Sequence, residues 1–234
     1  MRPRVVFVHG SLSSALEWTG YAELLPQADV VTLDLPGHGT RAGEPFTTDA
    51  AVGLIAEAVA GHDPGQPVVL AGHSLGGYMA CVYAARHPQR LAGLILLGAS
   101  GDPGSRLAAV YRGFAWLIER VSHERTARLR NRIARMLGLS DEQIPEASAY
   151  DALPASWRAV MQDCPPELLT SVTCPVLLIN GQFDQMRLNE RRYLDLARSS
   201  RLAIVPRATH LAPLTHAGQV AHHISDFLGS LSPG

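Results

Sequence analysis

The chain has 234 residues, of which 47% are hydrophobic and 18% charged, and its formal net charge is −1. That is globular composition, too apolar for a disordered chain, at a length that fits one domain or one domain carrying an insertion. The near-zero charge argues against nucleic acid or an anionic membrane as the main partner.

All 20 basic residues are arginine. A Schiff-base lysine, a pyridoxal phosphate anchor, a Walker A lysine and a Ser-Lys dyad are therefore excluded. Cys81, Cys164 and Cys174 are odd in number and lack C-x-x-C spacing, which indicates neither a disulfide framework nor a zinc site. The first apolar run, Val5 to Val8, is shorter than a signal-peptide core, and no apolar stretch reaches the roughly 20 residues that span a bilayer. A cytoplasmic location is the expectation.

In chain order, short β-branched runs alternate with helical patterns, the signature of a mostly parallel sheet covered on both faces. Strands are expected at 4–8, 29–33, 67–71, 91–97, 175–180 and 201–205, and helices at 48–60, 74–87, 188–198 and 217–228. One stretch breaks the alternation. From 101 to 170 there is no strand pattern, only helical ones: Leu107, Val110, Phe114, Leu117 and Val121 share one face. Further on, Leu129, Ile133, Met136 and Leu137 form an apolar stripe beside a second stripe of Arg125, Arg128, Arg132 and Arg135. The expected organisation is an α/β core of residues 1–100 and 171–234, with a helical cap at 101–170 inserted after the strand ending near residue 98.

The sharpest local signal is Gly72-His73-Ser74-Leu75-Gly76-Gly77, a G-x-S-x-G between an apolar strand and a helical run. A serine on so tight a turn stands in a strained conformation with its hydroxyl lifted above the sheet edge, and glycines two positions either side avoid collision. The competing reading is a plain structural turn. A serine hydroxyl needs a base, and the base an orienting acid. Strand 175–180 runs on into Asp184, and strand 201–205 into His210, so both candidates stand beyond strand C-termini at the sheet edge that carries Ser74. The order Ser74, Asp184, His210 is the one this topology uses. Asp102 is the rival acid; His216, His222 and His223 are rival bases, read first as surface or packing residues. After the first strand, His9-Gly10-Ser11-Leu12 offers a backbone N–H at Ser11 that would pair with that of Leu75 as an oxyanion hole. The Ser11 hydroxyl itself is read as satisfying its own loop.

Together, His9-Gly10, the run Leu33-Asp34-Leu35-Pro36-Gly37-His38-Gly39, the elbow at Gly72 to Gly77, Gly181 to Asp184 and Thr209-His210 resemble the α/β-hydrolase fold, in its branch with a helical cap. The resemblance covers nearly everything except the cap. It implies Ser74, Asp184 and His210 as nucleophile, acid and base, and a structural role for His38. The chain starts almost at the family's third strand, so about six strands are expected. It also departs from the family after His210, where His216 and Gly218 stand in place of an acidic residue and a proline.

The expected reaction is hydrolytic acyl transfer at a carboxylic ester or lactone, without metal or organic cofactor. Tyr111, Phe114, Trp157 and Met161 are candidate contacts to a small or medium apolar substrate, and Trp18 is a further candidate that reads first as core. The arginine stripe reads as a solvated helix face; the sharper alternative is a docking surface for an acidic acyl carrier protein, which would make the enzyme a thioesterase. A C–C bond hydrolase and a non-catalytic ligand receptor on the same scaffold remain as further readings.

Overall fold

The computed structural model describes residues 1–105 and 150–231. Six strands, β1 (Arg4–Val8), β2 (Asp29–Leu33), β3 (Val68–His73), β4 (Gly93–Leu97), β5 (Val176–Gly181) and β6 (Ser200–Val205), form one sheet in the order β2-β1-β3-β4-β5-β6. Every neighbouring pair is parallel. The helices are α1 (Tyr21–Leu24), α2 (Thr48–Ala60), α3 (Leu75–Arg86), α4 (Leu153–Asp163), α5 (Glu190–Leu196), α6 (Ala212–Thr215) and α7 (Ala217–Leu231).

In β1, β3, β4 and β5 side chains alternate between two buried layers, which is why these inner strands read as nearly continuous apolar runs. Val6, Val8, Leu70, Leu94, Leu96 and Leu178 face a layer that contains Val52, Ile55, Met79 and Tyr193 from α2, α3 and α5. Val5, Phe7, Val69, Ile95, Leu97 and Ile179 face the other, with Tyr21 of α1 and Val220, Ile224 and Phe227 of α7. At Gly93 the second layer comes so close that a Cβ would stand 2.8 Å from the Phe227 ring.

Element boundaries follow local chemistry. Thr47 caps α2 by accepting the Ala50 N–H at 3.1 Å, and Gly61 stops the helix. β3 runs two residues past its expected end because pairing to β4 continues through His73 and Leu97. α5 is shorter than expected: a 3-10 turn at Gln185–Arg187, started by Asp184 accepting the Met186 N–H, precedes it, and the chain is already extended at Ala197.

The last part of the predicted insertion is built onto the body. Thr48 Oγ1 donates to the Asp163 carboxylate at the end of α4, and Leu169 and Val172 are buried in the layer below α3. Gly37, at φ 77°, lies so near Ala152 that a Cβ there would come within 2.5 Å of its methyl group. The helical patterns expected at 106–121 and 125–137, including Tyr111, Phe114 and the arginine stripe, lie outside the described residues. Among the described residues no helix is long and apolar enough to cross a membrane.

Candidate active site

β3 ends in a turn that only its glycines permit. A Cβ on Gly72 would lie 2.3 Å from the Gly76 carbonyl oxygen, and one on Gly76 would lie 2.3 Å from the Val8 carbonyl oxygen. Between them Ser74 adopts φ 50°, ψ −116°, a left-handed conformation costly for a residue with a side chain. Its N–H donates to Leu97 O at 2.8 Å and its carbonyl accepts the Tyr78 N–H at 3.1 Å, so both neighbouring elements hold it there. Leu75 opens α3 directly after it, and the Ser74 side chain does not cap that helix start.

Two further strand ends supply a carboxylate and an imidazole. His210 Nδ1 lies 3.0 and 3.1 Å from the two Asp184 oxygens. With that nitrogen donating to the carboxylate, Nε2 is left as the basic atom. Burial opposes the charge on Asp184, but the hydrogen bond and attraction from His210, the Met186 N–H at 2.7 Å and the charge of His73 outweigh it and hold the carboxyl below its usual range. Gly98, at φ 55°, passes beneath the pair; a Cβ would stand 2.8 Å from Asp184 Oδ2 and 2.9 Å from His210 Nδ1.

Ser74 and His210 open into one cavity of about 210 Å³. Ser11 and Leu75 line it on one side, and Tyr78, Leu153, Trp157, Val160 and Met186 give it an apolar wall. Ser156 and Gln185 add polar atoms; among the described residues no carboxylate or guanidinium lines it. Met161 lies beyond this wall, in a smaller adjoining recess shared with Tyr78, Trp157 and Met186.

Other candidates fall elsewhere. Trp18 does not reach the cavity: it is 2% exposed, stacks 4.6 Å from the Phe7 ring and belongs to the layer on the far side of the sheet. The 3-10 turn at Ala15–Trp18 folds this segment behind β1, so its apolar ring fills the core. Asp102 is held by Arg192 at 2.7 Å and by its own loop rather than by a histidine. His216 bonds its neighbour Thr215, and His222 faces Asp226 on the exposed side of α7.

The loop after β1 carries buried polar residues that sequence reasoning passed over. His9 donates from Nδ1 to Gly10 O at 2.8 Å and accepts the Leu35 N–H at Nε2. Burial lowers its pKa against the attraction of Glu17 and Asp34, so it is neutral. Glu17, 2% exposed, accepts the Gly10 N–H at 2.9 Å through Oε2, and its Oε1 lies 2.5 Å from His73 Nδ1. The other ring nitrogen of His73 lies 2.9 Å from the main-chain carbonyl of His210. A glutamate beside an apolar Leu-Trp pair gives no sign of this until the β1 loop is placed under β3.

A family model described as the alpha/beta hydrolase family matches residues 5–223. An uncharacterized hydrolase, YugF, of Bacillus subtilis is 27% identical, covering 97% of this chain and 90% of its own. A pimeloyl-[acyl-carrier protein] methyl ester esterase of Neisseria meningitidis is 27% identical over 96% of this chain and 93% of its own. Among solved structures, a thermophilic esterase from Thermogutta terrifontis superposes with a TM-score of 0.79 at 24% identity, covering 99% of this chain and 91% of that one, a likeness of fold.

Proposed function

The chain belongs to the alpha/beta hydrolase family, and on that premise we propose that it is a serine hydrolase cleaving carboxylic esters or lactones of small to medium apolar substrates. The observation that carries this reading is a serine held at positive φ that shares one cavity with an imidazole already docked on a buried carboxylate.

In this mechanism His210 Nε2 takes the proton from Ser74 Oγ as the oxygen attacks the ester carbonyl. The N–H groups of Ser11 and Leu75 hold the oxyanion; one such donor is typically worth about 10²–10³ in rate. His210 then protonates the leaving alcohol, and a water activated by the same ring hydrolyses the acyl-enzyme. Asp184 keeps the ring oriented and offsets the imidazolium charge as it forms. Trp157 and Val160 on α4 bound the space for the apolar group, and the inserted stretch 101–170 serves as the cap over the core.

The test is a panel of activated esters, lactones and acyl thioesters graded by chain length. Ester or lactone turnover is expected, falling when the acyl chain outgrows the cavity. Ser74→Ala lowers kcat by at least about 10⁴ with the fold retained, and a fluorophosphonate labels the native protein at Ser74 alone. Unlabelled protein without turnover refutes the proposal and favours a ligand receptor, whereas turnover of β-diketones in place of esters moves the assignment to C–C cleavage.

A second reading is an esterase or thioesterase for acyl groups on an acidic carrier protein. The acyl-carrier methyl ester esterase among the relatives and the arginine stripe in the sequence favour it. Its mark is carrier binding that weakens steeply with added salt.

A further inference from the structure

We propose that Glu17 and His73 are positioning residues, a buried brace that fixes the oxyanion loop and the loop of the catalytic base relative to one another. The proposal rests on the hydrolase reading for its effect on rate, while the brace itself stands on geometry.

Three contacts in series cross the floor of the site. The Gly10 N–H donates to Glu17 Oε2, Glu17 Oε1 meets His73 Nδ1, and His73 Nε2 meets His210 O. Gly10 is the residue just before the donor at position 11, and His73 the one just before Ser74. The carbonyl of His210 belongs to the residue whose ring lies against Asp184. Two hydrogen bonds and, between them, one close ion-pair contact thus join the ends of β1, β3 and β6.

A carbonyl cannot donate, so Nε2 of His73 carries a proton. Burial opposes the charge on Glu17, but the positive charge of His73 outweighs it and holds the carboxyl below its usual range. The carboxylate beside Nδ1 is thus ionised, and that nitrogen carries a proton too. His73 is therefore an imidazolium paired with a glutamate, both almost wholly buried. Glu17 and, beyond it, Asp184 supply the attraction that keeps the ring charged against the cost of burial. The neutral His9 lies behind Glu17, and the His210 ring lies 4.8 Å from that of His73. A buried ion pair is a poor way to gain stability, since desolvation consumes most of the attraction. Its use here is directional: each partner spends its second bonding site on backbone of a catalytic loop, which apolar side chains of the same volume would leave untethered.

Two substitutions at one position separate geometry from bulk. In Glu17→Gln the amide oxygen still accepts the Gly10 N–H, and its NH2 donates to Nδ1 of a neutral His73 whose Nε2–H still reaches His210 O. Glu17→Ala removes the row. The expected result on an activated ester is a kcat near that of the wild type for Glu17→Gln and a fall of about 10–100-fold for Glu17→Ala, with KM little changed in both. A Glu17→Ala enzyme with wild-type kcat overturns the brace, as does a Glu17→Gln enzyme as impaired as Glu17→Ala. A ¹⁵N-edited spectrum of the wild type near neutral pH supplies a readout that needs neither turnover nor a variant that folds. Protons on both ring nitrogens of His73 are expected, and an Nε2 without a proton, unable to bond the His210 carbonyl, refutes the brace. Loss of fluorophosphonate labelling in the wild type, with the imidazolium signature present, refutes instead the hydrolase reading.

Discussion

Ser74 stores backbone strain that its hydroxyl alone justifies. Replacement by glycine releases the left-handed conformation, so Ser74→Gly is expected to raise the unfolding free energy read from urea titration by about 1 kcal/mol while abolishing turnover; Ser74→Ala keeps a Cβ and leaves stability unchanged. At this scale the sequence was informative wherever spacing in the chain fixes spacing in space. The serine is found from its flanking glycines, Asp184 and His210 from their position just past strand ends. Glu17 and His73 were not found, because 56 positions of chain separate them and only the path of the β1 loop brings their atoms to 2.5 Å. Trp18, read first as core, is core; its other candidate place at the cavity is excluded by one turn of 3-10 helix.

Elements decide how much room the reaction has. The turn between β3 and α3 is threaded against the end of β1, so Gly76→Ala drives a methyl group into main-chain carbonyls that have nowhere to move. A loss of several kcal/mol, roughly 3 or more, is expected in thermal denaturation, with soluble yield falling accordingly. α4 governs the opposite wall. Trp157→Ala enlarges the cavity, and the preference among acyl chains shifts toward longer ones, read as a rise in kcat/KM for long esters relative to acetate; an unchanged profile would remove Trp157 from the substrate's path. The four inner strands were legible because both faces are buried, which makes each a nearly unbroken apolar run, whereas the partly exposed edge strands β2 and β6 keep polar residues such as Thr32 and Arg201. α4 was not separable from the rest of the insertion, since a helical stripe tells which side is apolar but not which neighbour covers it. Its docking through Thr48 and Gly37 depends on residues more than a hundred positions away.

For the whole molecule, stability is expected to peak near neutral pH. His38 donates from Nδ1 to Pro36 O, its Nε2 has no partner among the described residues, and burial pushes its pKa down to about 4. His9 is shifted the same way. Below the ordinary value of 6.5 the unfolded chain binds protons that the native state refuses, so stability falls between pH 6.5 and 4, by on the order of 3 kcal/mol at the lower end from His38. Glu17 and Asp184, held below the usual carboxylate range, extend that loss as pH drops further. His73 acts in the opposite sense: its raised pKa contributes fully below 6.5, and that contribution is lost as pH climbs through the folded value. Urea midpoints at pH 7 and 5 check this, and His38→Gln is expected to flatten the acid slope. Parallel strands put the loops that carry Ser74, Asp184 and His210 on one rim and leave the other with turns such as 63–66, where Pro64 is exposed and Gly65 has open space around it. Because the chain contains no lysine, Pro64→Lys would plant its sole ε-amine on that far rim. Amine coupling there would tether the protein to a support with its mouth facing the bulk liquid, an oriented immobilisation that a lysine-rich surface would scramble.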